Sequence, residues 1–320
     1  MGRMRIVVLA GGVGGARFLQ GVRDVGDDVT AIVNTADDVT LHGLRVCPDL
    51  DSVMYTLGGG IDTDRGWGRA AETWTVKDEL AAYGAEPTWF GLGDRDVATH
   101  LVRTRMLDAG YPLSAVTEAL CDRWKPGVRL LPMTNERVET HVVVDGPDGR
   151  RALHFQEWWV RHRAQLEPHE FVPVGAAEAV PAPGVLDAIA DADIVLIAPS
   201  NPVVSIGTIL SVPGVRDALR STPAPVVGVS PIIGNAPVRG MAEKCLPAVG
   251  VEVSAAGVGG FYGARSADGV LDGWLVDTSD AGAAVEGVEV RAVPLYMTDI
   301  DATAAMVRAA VELGSEVRRG

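Results

Sequence analysis

The segment from Arg5 to Arg17, R-I-V-V-L-A-G-G-V-G-G-A-R, predicts how the rest of the chain is organised. Its first part, residues 6–10, is short, apolar and rich in β-branched residues, which is typical of a buried parallel strand. Four glycines follow, at Gly11, Gly12, Gly14 and Gly15, and apolar residues then recur at helical spacing. A glycine turn between a strand and a helix lets the backbone approach an anion, and the helix N-terminus offers free N–H groups. The glycines are therefore predicted to bind a phosphate-bearing ligand, with a tight turn that binds nothing as the alternative.

Two common forms of this loop do not fit the sequence. A dinucleotide fingerprint needs a third glycine three residues after the second, and that position is Arg17. The next predicted strand, Val29 to Val33, ends at Asn34 and not at an acidic residue that could bind a ribose. A Walker loop needs Gly-Lys-Ser/Thr, which does not follow these glycines. An NAD(P)-dependent Rossmann-type oxidoreductase therefore remains only as an alternative, beside a non-catalytic nucleotide-sensing protein.

Composition limits the function classes. The 320 residues carry a formal net charge of −14, which argues against nucleic acid as a partner. No apolar run reaches the length of a membrane span and no signal sequence precedes the glycine loop, so we expect a cytoplasmic protein that does not bind membranes. The three cysteines form no CxxC pair, which argues against a zinc site or a disulfide framework.

The strand and helix signals predict an α/β fold, a Rossmann-like parallel sheet flanked by helices. Further strands are predicted at residues 193–198, 226–230, 270–276 and 288–293. The stretch from about 65 to 180 interrupts this rhythm with three predicted strands at 129–133, 138–144 and 151–155 and a hairpin signal at 147–149. We therefore predict one nucleotide-binding domain over residues 1–320 with an inserted α+β subdomain at about 65–180.

Four aspartates, Asp37, Asp38, Asp49 and Asp51, lie within 15 residues after the second predicted strand. Carboxylates grouped in this way suit Mg²⁺, which takes one or two of them and keeps several waters. We predict Asp37, Asp49 and Asp51 as the metal ligands. The alternative is that the first pair forms a solvated turn and the second pair caps a helix.

Two polar loops are predicted to join the glycines in one crevice, because strand ends of one polarity meet at one edge of a parallel sheet. The first, P-S-N-P-V-V-S-I-G at 199–207, and the second, P-I-I-G-N-A-P-V-R-G at 231–240, each follow a strand. The predicted binding residues from these loops and from the second strand are Asn34, Ser200, Asn201, Ser205, Gly234 and Asn235. Phe155, Trp158 and Trp159 could stack on a planar heterocycle or could fill the core. A helix near 91–107 carries an apolar stripe and, on another face, Arg95, Thr99 and Arg103 with His100 beside them. The arginines of this face could bind phosphate, and the alternative is a solvated basic face.

The ordered series of motifs resembles the CofD/FbiA family of deazaflavin coenzyme F420 biosynthesis. The motifs are A-G-G-V-G-G-A-R at 10–17, N-T-A-D-D at 34–38, P-D-L-D at 48–51, L-G-D-R-D-x-A-T-H at 92–100, H-F-Q-E-W-W at 154–159, P-S-N-P-V-V-S-I-G at 199–207 and S-P-I-I-G-N-A-P-V at 230–238. The detail C-P-D-L-D-S-V-M-Y-T-L-G-G-G at 47–60 looks like the actinobacterial branch of this family.

The resemblance implies a transferase. Members transfer a phosphorylated three-carbon acid from its guanosine diphosphate conjugate to the hydroxyl of the deazaflavin Fo and release GMP. The archaeal type uses the 2-phospho-L-lactate conjugate, and the actinobacterial type uses the phosphoenolpyruvate conjugate. The resemblance further implies a homodimer, with the guanine nucleotide in the crevice and Fo alongside. Since phosphoryl transfer depends on positioning and charge neutralisation, we predict Mg²⁺ as the cofactor and Asp37 and Asp51 as catalytic residues.

Overall fold

Seven parallel strands form the central sheet of the computed structural model, which describes residues 3–318. In chain order the strands of the molecule are β1 (Arg5–Ala10), β2 (Asp28–Val33), β3 (Val39–Leu41), β4 (Leu44–Val46), β5 (Arg129–Pro132), β6 (Glu139–Gly146), β7 (Gly149–His154), β8 (Pro168–Val174), β9 (Ile194–Ile197), β10 (Val226–Val229), β11 (Ile232–Ile233), β12 (Ala236–Pro237), β13 (Gly273–Val276) and β14 (Glu289–Ala292). The central sheet has the order β14-β13-β10-β9-β1-β2-β5, and each of its neighbouring pairs is parallel. The predicted fold class is confirmed.

Helices cover both faces of this sheet. They are α1 (Gly12–Val25), α2 (Pro48–Leu57), α3 (Thr75–Ala82), α4 (Asp94–Asp108), α5 (Leu113–Trp124), α6 (Val185–Asp191), α7 (Gly207–Ser211), α8 (Val215–Ser221), α9 (Ala242–Ala248), α10 (Ala255–Tyr262) and α11 (Ile300–Val317). Two short π-helical turns span Glu157–Arg161 and Pro202–Ile206. Within residues 3–318, no helix combines the length and the apolar character needed to cross a bilayer.

The side chains of β1 divide the hydrophobic core into two halves. Val7 and Leu9 pack into one core cluster, whereas Ile6, Val8 and Ala10 pack into the other. This alternation is expected because successive side chains of a strand point to opposite faces of the sheet. Since both faces are buried, the strand reads as a continuous apolar run in the sequence.

The strand order reverses at β1, which determines where a ligand can bind. From β1 the chain continues to β2 and β5 on one side of the sheet, and it returns to β9, β10, β13 and β14 on the other. The loops that leave β1 and β9 therefore diverge at the carboxyl edge of the sheet. Such a switch point opens a crevice in doubly wound folds.

A three-stranded antiparallel sheet, of order β7-β6-β8, forms the middle part of the chain. The predicted hairpin at 147–149 is the β6–β7 turn, where Gly146 pairs with Gly149. However, β5, which falls inside the predicted insertion at 65–180, pairs with β2 in the central sheet. The insertion is therefore interrupted by a strand of the main sheet, and its bounds as a subdomain stay a prediction.

Helix α4 buries a polar face and exposes apolar side chains. Its buried residues are Thr99, His100 and Arg103, whereas Leu101 and Val102 are about half exposed, at 53% and 49%. The alternative of a solvated basic face is therefore wrong for Arg103 and His100. The reason lies in a neighbouring helix, α2, whose Asp51 requires a buried cation.

Candidate active site

A crevice of about 670 Å³ lies at the carboxyl edge of the sheet, at the switch point next to β1. Its walls come from seven segments: the glycine loop, the acidic segment at 34–38 with the start of α2, a loop near residue 66, residues 155–159, the two polar loops after β9 and β10, and the loop that follows β14. Among the predicted binding residues, those that line it are Gly11, Gly12, Gly14, Asp37, Asp49, Ser200, Asn201 and Ser205. Three strand-end loops thus meet as predicted.

The glycine loop packs so closely against the loop after β9 that larger residues do not fit. A Cβ on Gly11 would lie 2.6 Å from Ser205 Cβ and 2.7 Å from Asp49 Oδ2, and one on Gly14 would lie 2.8 Å from the Pro199 carbonyl oxygen. Ser200 joins the two loops, since its Oγ accepts from Gly11 N at 3.0 Å and donates to Gly11 O at 2.8 Å. The start of α1 is therefore held with its free N–H groups directed at the crevice.

Asn34 lies behind the crevice wall and orients Asp49. It is fully buried, and its Nδ2 donates to Asp49 Oδ2 at 2.9 Å and to the Val204 carbonyl at 3.3 Å. Its Oδ1 accepts from Ala36 N at 3.0 Å and from Thr208 Oγ1 at 2.7 Å. The side chain that was predicted to bind nucleotide therefore has its donors and acceptors occupied within the protein and acts through Asp49.

Two of the four clustered aspartates are paired with arginines. Asp51 forms a two-pronged ion pair with Arg103, one contact being Nη1 to Oδ2 at 3.1 Å, and the guanidinium is 1% exposed. Asp38 pairs with Arg45 Nη2 at 3.1 Å. Asp51 does not line the crevice, so the structure does not place it with Asp37 and Asp49 as a ligand facing a substrate.

The other two aspartates face the crevice without an arginine. Asp37 is 4% exposed, and its Oδ1 is buried with no hydrogen-bond partner among residues 3–318. Burial, and then the charges of Asp49 and Asp38, raise the pKa of Asp37 well above its usual range. Burial likewise raises the pKa of Asp49 to about 6, against hydrogen bonds from Asn34 and from the Gly12 backbone that favour its charged form. Two carboxylates that share one site without a cation make an incomplete electrostatic arrangement.

A divalent cation would balance the charges of Asp37 and Asp49. Buried, oxygen-only ligands with one carboxylate oxygen unsatisfied by the protein are what Mg²⁺ requires, and Mg²⁺ takes its other ligands from waters and substrate phosphates. Asp37 and Asp49 therefore fit the predicted cofactor. In the described part of the chain, no group of three or more His, Cys, Asp or Glu side chains is arranged to hold a metal, so the predicted set of three is not assembled.

The H-F-Q-E-W-W motif holds the acidic segment in place. His154 Nε2 lies 3.1 Å from the Asp38 carbonyl, and Gln156 Nε2 donates to the Asp37 carbonyl at 3.3 Å. The aromatics of the motif divide into two roles. Trp158 is fully buried and donates its indole N–H to the Leu166 carbonyl at 2.7 Å, whereas Trp159 lines the crevice.

Three arginines that line the crevice were not among the predicted binding residues. They are Arg17, Arg65 and Arg239, from α1, the loop near residue 66 and the segment after β12. In an acidic chain they provide local positive charge next to the helix N-terminus. In the sequence Arg17 differs from a dinucleotide fingerprint, which has glycine there, and this departure is the signal that points to a different ligand.

Besides Asn34, three predicted binding residues lie off the crevice. Gly234 and Asn235 form the exposed turn between β11 and β12, with φ of 58° and 64°, and Gly234 N donates to Asp280 Oδ2 at 2.9 Å. Gly15 is buried beneath the loop, where a Cβ would lie 2.8 Å from Ser200 Oγ. From the same hairpin region, Ser230, Pro231 and Ile233 line the crevice instead.

Comparison with known proteins identifies the family. The family model described as 2-phospho-L-lactate transferase CofD matches residues 6–311. The chain belongs to the CofD family. A phosphoenolpyruvate transferase from Nocardia farcinica is 67% identical over 97% of this chain and 94% of its own length, and one from Thermobifida fusca is 65% identical over 98% and 99%.

Fold similarity extends further than sequence similarity. A crystal structure of a UPF0052 family protein from Bacillus halodurans has a TM-score of 0.62 at 16% identity and covers 97% of this chain and 99% of its own. Because CofD proteins are transferases, this chain is a transferase enzyme. The oxidoreductase and the non-catalytic sensor are thereby excluded, and the resemblance to the actinobacterial branch is confirmed.

Proposed function

We propose that this CofD-family enzyme transfers the phosphoenolpyruvyl group from its guanosine diphosphate conjugate to the hydroxyl of the deazaflavin Fo, giving dehydro coenzyme F420-0 and GMP. Support for the transferred group comes from close relatives that are named phosphoenolpyruvate transferases. The observation that carries the proposal is the pair of carboxylates without an arginine partner, Asp37 and Asp49, next to the N-terminus of α1 in one crevice. One oxygen of Asp37 also has no hydrogen-bond partner among the described residues. A metal-binding pair beside an anion-binding helix end suits a diphosphate ester.

The protein groups have separate tasks in this reaction. The N–H groups of Val13 and Gly14 bind the donor diphosphate, because the helix end carries partial positive charge. Asp37 and Asp49 would hold Mg²⁺, which neutralises charge on the diphosphate as GMP leaves. Asn34 keeps the Asp49 carboxylate directed at the crevice. In this proposal Asp37 keeps its predicted catalytic role, and Asp49 replaces Asp51.

The acceptor is expected to lie against the aromatic wall. Trp159 and Phe155 line the crevice on the side of the acidic segment, and Trp67, which is 50% exposed, lies at its rim. Flat aromatic faces of this kind suit the tricyclic ring of Fo. The crevice is also large enough for two ligands of moderate size, since cavities that bind one drug-sized molecule begin at about 300 Å³.

The test is a direct transfer assay. The purified enzyme is incubated with Fo, Mg²⁺ and the phosphoenolpyruvyl conjugate, and GMP and the deazaflavin product are measured by chromatography and mass spectrometry. Asp37→Asn and Asp49→Asn should each lower the rate on the order of a hundredfold or more, since metal neutralisation contributes several kcal/mol to such reactions. Asp24→Asn, an exposed aspartate of α1 outside the crevice, is the matched control.

Three outcomes would contradict the proposal. The first is that the folded wild-type enzyme releases no GMP in this assay. The second is a near wild-type rate in both asparagine variants, and the third is full activity in excess chelator. A parallel assay with the 2-phospho-L-lactyl conjugate determines the donor, and we expect kcat/KM to favour the phosphoenolpyruvyl one. The homodimer implied by the resemblance and the cytoplasmic location stay predictions, and sedimentation at assay concentrations tests the first.

A further inference from the structure

Two guanidinium groups on the crevice wall have no acidic partner. Arg17 and Arg239 both line the crevice, and neither is within ion-pair distance of a carboxylate among residues 3–318. The third crevice arginine, Arg65, is different, because it pairs with Asp62 at 2.9 Å and lies over the rings of Trp67 and Trp74. Only the first two are therefore available to a ligand.

The guanidinium of Arg239 contacts the loop near residue 66. A Cβ on Gly66 would lie 2.5 Å from Arg239 Nη1, so the guanidinium rests on the backbone of Gly66. Gly66 has a φ of +76°, a conformation that L side chains rarely adopt, and its lack of a side chain leaves room for the guanidinium. Arg239 thus extends from the segment after β12 to the opposite wall.

Arg17 and Arg239 lie close enough to repel each other. Burial, and then the charge of Arg239, lower the pKa of Arg17. Arg17 is partly buried and Arg239 is exposed, and two like charges placed near each other attract an anionic group between them. The arrangement therefore favours a ligand with an anionic group at this point of the crevice.

Building on the proposed function, we infer that Arg17 and Arg239 bind the carboxylate of the three-carbon acid and make the enzyme selective for the donor over other guanosine diphosphate esters. In the proposed function, the donor diphosphate is already bound by N–H groups of α1 and by the cation proposed at Asp37 and Asp49. Its one remaining anionic group is the carboxylate. Arginine binds carboxylates through two parallel hydrogen bonds, which lysine does not. This role also accounts for an arginine where a dinucleotide site has glycine.

The test compares two ligands that differ in the carboxylate. The phosphoenolpyruvyl conjugate and the β-methyl ester of GDP share the guanosine diphosphate diester, but only the first has a carboxylate. Dissociation constants are measured by calorimetry with Mg²⁺ for the wild type and for Arg17→Gln, Arg239→Gln and Arg239→Lys. The control is Arg308→Gln, an exposed arginine of α11 outside the crevice.

Each glutamine variant should bind the conjugate about tenfold to a hundredfold more weakly and the methyl ester less than about threefold more weakly. Arg239→Lys, which keeps the charge, should recover only part of the loss. Equal weakening of both ligands would overturn the inference, because the arginines would then contact the diphosphate. Unchanged affinity for the conjugate would also overturn it. If the wild type binds neither ligand, the proposed function fails, whereas binding of the methyl ester alone would contradict the carboxylate site only.

Discussion

At the scale of single residues, the role of each clustered aspartate depends on whether an arginine lies beside it. Arg103 and Arg45 neutralise Asp51 and Asp38, which leaves Asp37 and Asp49 as the carboxylates that a substrate or cation can approach. Alternate carboxylates along the chain therefore have a structural role and a ligand-binding role.

Asp51→Asn should destabilise the fold strongly, because it leaves the Arg103 guanidinium buried without a counter-charge. Loss of one partner of a buried ion pair costs about 3–5 kcal/mol, which urea denaturation can measure. The double variant Asp51→Asn/Arg103→Met should recover much of this loss, because the unpaired charge is removed. Unchanged stability of Asp51→Asn together with weakened Mg²⁺ binding would instead support the ligand role that the sequence first indicated.

Trp158 and Trp159 should respond in opposite ways to truncation. Trp158 is fully buried against Phe155 and Phe171, so Trp158→Ala should cost about 3–5 kcal/mol of unfolding free energy. Trp159 lines the crevice, so Trp159→Ala should cost less stability but reduce the quenching of Fo fluorescence on binding. Full quenching in a folded Trp159→Ala protein would remove this side chain from the acceptor site.

At the scale of elements, the glycine loop depends on close packing more than on backbone flexibility. Gly11→Ala and Gly14→Ala place a Cβ within 2.8 Å of neighbouring atoms, so each should cost about 1–3 kcal/mol and weaken nucleotide binding. Gly260→Ala, in the helix α10, meets nothing within 4 Å and should be neutral or stabilising by up to about 1 kcal/mol. Thermal melts and GDP titrations measure both effects, and wild-type stability in Gly11→Ala would contradict the packing argument.

Elements with local signals could be predicted from the sequence. The strand β1 and the N-terminus of α1 follow from an apolar run and from glycines, and β9 and β10 follow from similar runs. The buried face of helix α4 could not be predicted from local signals. This face contains His100 and Arg103 because a counter-charge, Asp51, lies 52 residues away in sequence. Hydrophobic periodicity carries no information about such long-range ion pairs. Because Asp51 pairs with Arg103, it does not line the crevice as the sequence had predicted. Gly234 and Asn235 were misplaced because a turn signal does not tell which side of a hairpin faces a ligand.

At the scale of the whole molecule, the site exists only when the sheet is formed. Its walls come from the ends of β1, β2, β9, β10 and β14, which are distributed over almost the full length of the chain. In the proposed function, a chain with net charge −14 binds an anionic nucleotide there because the helix end, Arg17, Arg239 and the cation proposed at Asp37 and Asp49 would supply positive charge locally.

A ligand that binds this crevice binds the folded state alone and should therefore stabilise the entire protein. GDP with Mg²⁺ at 100 times its Kd should raise the free energy of unfolding by about 2.7 kcal/mol, which denaturant titration can measure. NAD should produce no comparable effect, since the loop lacks the third glycine and β2 ends at Asn34. In Asp49→Asn, the Mg²⁺-dependent part of the GDP effect should disappear, although the helix end and the arginines remain. Stabilisation by NAD and not by GDP would contradict the proposed nucleotide, and a GDP effect independent of Mg²⁺ would contradict the role of the carboxylate pair.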